Sequence, residues 1–542
     1  MARSIAVTSF GGSTPRRADH LVEKGSAVRA IDCKLWHGTL QSWRTPRTLR
    51  QTAAGTKSTY QAFNCCWLES TACTSWAEGS AELRHVFATQ YNDYAYPVRI
   101  VLDSLCEQTV YRLGLPCPPL VDKPIAMAAE SYSKAAAPRQ YAYQYVDSFG
   151  GFSALSEPSE ELTVADGTSV LVSGWSIPAG GWDIKQIRIF RTVVGFESVF
   201  KDEDNKIDAA WMLVGTVAAS SVSYVDAKWD YELSEAQTED FVEPPPEDLR
   251  GICWVKSMNC LVGFSGRYVY FSENNNYHNW IYKLLLDDTV KAIVESNDVV
   301  YIATDGAPYV IEGQVDPKSA AYRKAQRLAE GLPLIGSTYQ NLIAIPSGAI
   351  YVTHHGLVYL SKTTTPSIVS AAFYAPDDWQ ELHPDTARIG YHNGRIFAFF
   401  RNGAFCMSLR QGAGTGTELD AHTELSLRPS EVFTTRTGRF MLRFGIDVKE
   451  WDTGDMLMSH TYESSETLVG VPFNFGAAQV RMNPGTERFE VYCDDYQTLD
   501  EQLYQSDSFP MPMWATGQEF KWILTGTAEV KAVWLAPSLK EF

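Results

Sequence analysis

The sequence predicts a mainly β fold: a degenerate β-propeller with an inserted β-sandwich of the fibronectin or immunoglobulin type and additional β regions at the N- and C-termini. Three observations predict it. The dominant periodicity is two rather than 3.6, carried by short β-branched and aromatic runs broken by Gly, Asn or Asp. Paired strand–turn–strand units recur from residue 250 onward. Helical patterning is scarce, and residues 319–330, closed by Gly331 and Pro333, are its best instance.

Taken in order, residues 1–117 read as an N-terminal region, a basic docking segment followed by strands that join the propeller. Residues 118–245 read as the inserted sandwich: Tyr141-Ala-Tyr-Gln-Tyr-Val146 alternates, breaks at Asp147-Ser-Phe-Gly-Gly151, and is followed by Ile187-Arg-Ile-Phe-Arg191 and Val222-Ser-Tyr-Val225. The stretch 226–250, with nine Asp/Glu, two Lys/Arg and Pro244-Pro-Pro246, reads as the linker returning to the propeller. Residues 246–430 hold the blades. Their units begin near Ile252, Val290, Asn341 and Ile389, 38, 51 and 48 residues apart, the spacing a four-stranded blade requires. Four units are few for a closed ring, so further blades are expected from residues 60–115 or the far C-terminus. Residues 431–542 alternate again and form a C-terminal β region.

Composition bounds the function. With 542 residues, 45% apolar and 12% aromatic, the chain is long and apolar enough for several cores, which excludes extended disorder. The 46 Lys/Arg against 64 Asp/Glu give −18, so a general nucleic-acid binder is excluded. Segment 1–60 runs against the total, with ten Lys/Arg and three Asp/Glu. No run of 18 apolar residues offers a membrane span. Ten cysteines without a C-x-x-C pair suit buried reduced thiols better than disulfides or zinc.

The chemistry-bearing patterns are weak. No G-x-S-x-G elbow, P-loop or repeated Asp-box occurs; Ser148-Phe-Gly-Gly151 and Phe264-Ser-Gly266 do not fit, and Gly412-Ala-Gly-Thr-Gly416 reads as a hairpin loop. His354-His355 and Cys33 with His37 read as turns or packed side chains rather than zinc ligands. Asp202-Glu-Asp-Asn205 lacks the Gly and Glu of a calcium loop, Leu213 standing at the twelfth position. No catalytic residue, cofactor or metal is assigned.

Several stretches resemble, in order, the tail nozzle or tail tubular protein B family of short-tailed bacteriophages. They are Phe10-Gly-Gly-Ser-Thr-Pro15, Ala30-Ile-Asp-Cys-Lys-Leu-Trp36, Gly38-Thr-Leu-Gln-Ser-Trp-Arg-Thr-Pro46, Tyr111-Arg-Leu-Gly-Leu-Pro-Cys-Pro118, Tyr143-Gln-Tyr-Val-Asp-Ser-Phe-Gly150 and Ser156-Glu-Pro-Ser159. Beyond the sandwich follow Pro244-Pro-Pro-Glu-Asp-Leu-Arg-Gly251, Gly263-Phe-Ser-Gly266, Phe271-Ser-Glu273, His278-Asn-Trp280, Thr304-Asp-Gly-Ala-Pro-Tyr-Val-Ile-Glu-Gly313 and Gly356-Leu-Val-Tyr-Leu-Ser361. The family's Pro-rich turn before the His is replaced by Asn274-Asn-Asn-Tyr277, and residues 430–542 match nothing in it. The resemblance implies a non-enzymatic virion protein, made in the host cytoplasm and located in the tail. It implies a homo-oligomeric ring of six that extends portal and adaptor proteins, neighbours tail fibres, and passes genomic DNA through its lumen without specific binding. Six chains of −18 would repel phosphate over a Debye length of about 8 Å. Arg16, Arg17, Arg44, Arg47 and Arg50 are then expected to dock on an acidic adaptor face. The alternative from another class is a carbohydrate-binding or polysaccharide-degrading propeller, using exposed aromatics and a carboxylate pair.

Overall fold

The computed structural model describes residues 4–63, 65–79, 83–120, 124–128, 136–193, 210–237, 242–312, 325–328, 332–336, 339–362, 365–411, 417–512 and 514–542. Among these, antiparallel units of four strands follow one another around a ring. Those of residues 75–112, 250–285, 290–327 and 342–368 are separate sheets, and the four strands of 388–424 begin a ten-stranded sheet that runs on through Ala27–Ile31 and His460–Ser464. The first strand of each touches the first strand of the next, from Ser75–Glu78 through Arg250–Val255, Val290–Ser296, Leu342–Ile345 and Arg388–His392 to Glu431–Thr434.

The cores lie between consecutive sheets. Val262, Phe264 and Phe271 pack with Ile293, Val300 and Ile302; Tyr301 and Ala303 pack with Ala349 and Tyr351; Ile350 and Tyr359 pack with Ile396 and Phe405. Middle strands, covered on both faces, are therefore continuous apolar runs: Val299–Thr304, Gly348–Thr353 and Gly356–Leu360 are buried throughout. The outer strand Tyr282–Leu285 alternates. Tight turns fix the register, as at Asn393-Gly394, where φ of 48° and 75° suits the two-residue hairpin that pairs His392 with Arg395.

The last sheet corrects the boundary expected at residue 431. Glu431–Thr434, Phe440–Phe444 and Asp447–Glu450 take their fourth strand from Arg47–Gln51 near the N-terminus. The hairpin Ser58–Ala62 and Cys66–Ser70 then fills the gap to the first sheet. There Glu431 accepts from Thr59 N–H and Oγ1 at 2.8 and 2.9 Å, Arg443 holds Glu431 at 2.8 Å, and Arg436 reaches Glu78 at 2.8 Å. The ring is thus closed by joining its sequence start to its sequence end.

Two sandwiches leave the ring. The inserted one, within residues 125–226, packs Ile125–Ala128, Val170–Ser173 and Ser223–Asp226 over Tyr141–Val146, Gln186–Val193 and Ala210–Ala218. The other is built by both chain ends. Strands Ile5–Val7, Ala27–Ile31, Cys33–Trp36 and Thr39–Ser42 join strands from residues 460–536 around one core that includes Phe10, Leu40, Tyr462, Phe489 and Trp522. Residues 431–542 are therefore not one unit, and residues 1–117 divide between this sandwich and the ring.

Two further expectations change. Of the helix expected at 319–330, the described part Gln326–Arg327 is a strand paired with Tyr309 and Val310; the remainder lies outside the described residues, as do Asp202-Glu-Asp-Asn205 and Gly412-Ala-Gly-Thr-Gly416. The cysteines are not all reduced, since Cys66 and Cys106 form a disulfide across 40 residues of sequence. Packing of the 58–70 hairpin on the first sheet brings them together, and no spacing rule announces it.

Candidate functional site

Residues that begin the innermost strands, among them Ser75, Arg250, Thr289 and Lys291, surround a cavity of about 470 Å³ at one mouth of the ring. Such a volume suits a small molecule, not a nucleic-acid duplex. Asp248 is the one carboxylate among its described lining residues, and Ser265 Oγ donates to it at 2.6 Å. Hydrolysis of a glycoside needs two carboxylates across the bond, so this mouth does not carry that constellation.

The richer site is the joint between ring and inserted sandwich. The turn Asp147-Ser-Phe-Gly-Gly151 enters it from the sandwich: Asp147 Oδ1 accepts the N–H groups of Phe149 and Gly151 at 2.8 and 2.7 Å. Arg99, from strand Val98–Leu102, donates to Asp147 Oδ2 at 3.3 Å with both side chains buried, and its guanidinium lies 4.8 Å over the Phe149 ring. Burial raises the Asp147 carboxyl above its ordinary range, against the pull of Arg99. A Cβ on Gly151 would stand 2.6 Å from His278 Nδ1, so the turn needs glycine there.

The His278-Asn-Trp280 segment is the ring's half of the joint. His278 Nε2 accepts the Phe152 N–H at 3.2 Å, Asn279 Oδ1 accepts the Glu243 N–H at 3.2 Å, and the Trp280 N–H donates to the Glu243 carbonyl at 2.7 Å. Burial, reinforced by Arg99, pushes His278 and the neighbouring His85 down to about 4, so both are neutral at pH 7. A cavity of about 160 Å³ lies among Arg99, Asp147, His85 and His278.

The chain ends meet through two further histidines. His422 lies between Ser13 Oγ at 2.7 Å and Tyr374 Oη at 2.6 Å, and burial pushes it down to about 3. Ser42, His460 and Glu487 form a buried row at 2.8 and 3.1 Å. The Ser42 hydroxyl also reaches the Gly526 carbonyl at 3.4 Å, and the residue is 8% exposed, so the row ties hairpin to sheet rather than presenting a nucleophile. Its members are 418 and 27 residues apart and carry no linear motif.

The other candidates fall elsewhere. His354 and His355 form a turn between strands, Cys33 is buried and donates to the Ile31 and Thr461 carbonyls, and His37 sits in a turn at φ 49°. The expected docking arginines are engaged within the chain. Arg17 pairs with Glu23 at 3.0 Å, Arg47 with Glu450 at 3.5 Å and Arg50 with Glu69 at 2.6 Å, while Arg16 and Arg44 reach the carbonyls of Ala371 and Gly454. Lys34 adds a pair with Asp452 at 2.6 Å. Much of the basic surplus of segment 1–60 thus faces acids of its own chain.

No family model and no curated protein matches this chain. Among solved structures it is similar to a streptogramin B lyase, at 11% identity and TM-score 0.29, covering 76% of this chain and 97% of that one. It is also similar to BamB from Moraxella catarrhalis, at 9% identity and TM-score 0.33, covering 76% and 94%.

Proposed function

We propose that this chain is a structural subunit of a short-tailed phage tail nozzle, assembling as a closed ring of six whose lumen passes genomic DNA. What carries the reading is where the resembling stretches meet. Those at 111–118, 143–150, 244–251 and 278–280, scattered in sequence, converge on the joint just described. Leu113, Leu249 and Trp280 share one core cluster, Arg112 pairs with Glu247 at 2.5 Å, and Asp147 and Phe152 face Arg99 and His278. In this reading the resembling stretches build one construction, a sandwich mounted on a propeller.

Two features support ring assembly. The cavity of about 470 Å³ between the first sheets of the propeller has the size of a small-molecule pocket, so in this reading the DNA conduit runs between chains. The outer face of the inserted sandwich is apolar where a solvated face is normally polar: Met127, Leu171 and Val225 are opposite one another in register, with Ile125 beside them, and all are exposed. On the terminal sandwich, Leu468 and Val471 of strand Thr467–Asn474 are exposed as well. Two different surfaces on one chain are what a head-to-tail ring uses. The net −18 then disfavours retention of DNA in the lumen. Portal and adaptor proteins are its partners in this reading, contacted by surfaces other than the internally paired arginines.

Negative-stain images of the purified chain test the proposal. Rings with an open centre that add to portal–adaptor particles are expected. A monomer that clears polysaccharide would replace the reading with the carbohydrate-active one.

A further inference from the structure

Three sulfur atoms meet at the seam that closes the ring. The Sγ of Cys65 lies 3.5 Å from Cys66 Sγ and 3.9 Å from Cys106 Sγ, and all three lie within 4.8 Å of one another. Arg84 stands over them. Its Nη2 is 2.8 Å from Cys66 Sγ and 3.8 Å from each of the other two, on a backbone held at φ 50°. Cys66 is buried, Cys106 half-buried and Cys65 exposed, so one side of the triangle opens to water.

We infer that, once the Cys66–Cys106 bond is reduced, Cys65, Cys66 and Cys106 form a three-thiolate site for a thiophilic divalent cation of the Zn²⁺ class. A zinc–sulfur bond of about 2.3 Å in tetrahedral geometry sets sulfur atoms about 3.8 Å apart. The two distances from Cys65 already match, and only the bonded pair has to open. Charge balance fits as well. Three thiolates and a divalent ion sum to −1, which the Arg84 guanidinium cancels in a partly buried setting. Water takes the fourth position on the exposed side of Cys65.

The redox step balances with an external thiol or phosphine reductant. It supplies two electrons, the sulfur–sulfur bond breaks, two cysteine thiols appear, and the reductant leaves as its disulfide or oxide. The metal then displaces three thiol protons to solvent. Disulfide and metal are alternative clips on the same two segments, the 58–70 hairpin and the loop after Val98–Leu102. The seam is thereby fastened in oxidising and in reducing surroundings alike. This inference is independent of the ring proposal.

The test loads the full chain, reduced with a phosphine and desalted, with Zn²⁺ or with Cd²⁺, whose bond to thiolate absorbs in the ultraviolet. One ion per chain is expected, with the cadmium–thiolate band. Cys65→Ser and Cys106→Ser should each abolish the band, Cys73→Ser should leave it, and Arg84→Met should weaken binding about tenfold or more. Far-UV circular dichroism of each variant separates lost binding from lost fold. The oxidised chain should bind no ion. A reduced wild-type chain that takes up no ion, a folded Cys65→Ser variant that binds as well as wild type, or equal uptake by the oxidised chain would overturn the assignment.

Discussion

The two sandwiches hold their sheets together with a different balance of forces. The terminal one rests mainly on apolar contact, with Phe10, Tyr462 and Trp522 packed edge-on and stacked at 5.3–6.1 Å between centroids, and its buried polar tie is the short Ser42–His460–Glu487 row. The inserted one contains a buried ionic network. Arg191, fully buried, donates to Asp226 at 2.6 Å and to Asp230 at 2.6 Å; Tyr141 donates to Asp226 at 2.9 Å; Arg139 bridges Asp166 and Asp230 at 2.8 and 3.0 Å. A contiguous segment can close its own polar network. The terminal sandwich needs both chain ends, and those ends also complete the ring. One sandwich is therefore a separable mount, and the other is part of the ring's lock.

Deletion of whole units should show this contrast most strongly. Removing residues 1–51 takes away the fourth strand of the last sheet and four of the twelve strands of the terminal sandwich, so no cooperative transition should survive in a thermal melt. Removing residues 119–240 with a short linker should leave the ring folded, because Cys117 Sγ already lies 3.8 Å from the Val242 carbonyl. A cooperative melt from the first deletion, or none from the second, would dissolve the distinction.

Next in size is Asp226→Ala. It strands Arg191 in the inserted core and should destabilise that sandwich by about 3–5 kcal/mol. Truncating a terminal-core residue, Val533→Ala, should cost about 1–3 kcal/mol. Urea titrations of both variants measure the difference, and equal losses would deny the ionic core its special weight.

The joint supplies a pH signature. His85 and His278 are held below the unfolded value of about 6.5, so the unfolded chain binds their protons first as pH falls. Their contribution is intact above about pH 6.5 and is lost progressively toward about pH 4. Melts recorded across this window should fall in midpoint, and His278→Gln should flatten the slope. The fold of the single subunit should change least in Met127→Asp with Val225→Asp, on the outer face of the inserted sandwich, staying within about 0.5 kcal/mol of wild type when both are measured too dilute to assemble.

The units beginning near Ile252, Val290, Asn341 and Ile389 were legible because each buries at least one middle strand on both faces, which leaves a continuous apolar run. The inserted sandwich was legible for a similar reason, its alternation at Tyr141–Val146 being undisturbed. Ring closure was not legible: Arg47–Gln51 is an exposed, polar outer strand whose partner, Asp447–Glu450, comes from the opposite end of the sequence. The joint was half legible. His278-Asn-Trp280 stood out as a motif, yet its role depends on Phe152 and Glu243 arriving from the insertion and its return. The basic N-terminus was legible only in part, because a charge summed over a segment does not show that Lys34 and Arg47 pair with Asp452 and Glu450 from the far end of the sequence.

The native mass of the purified chain, measured beside the Met127→Asp, Val225→Asp variant, decides the ring proposal. Wild type should give one assembly at six times 60.4 kDa, and the variant a monomer that still unfolds cooperatively. A wild-type chain that remains a 60.4 kDa monomer at tens of micromolar, or a variant that assembles as wild type does, would contradict it.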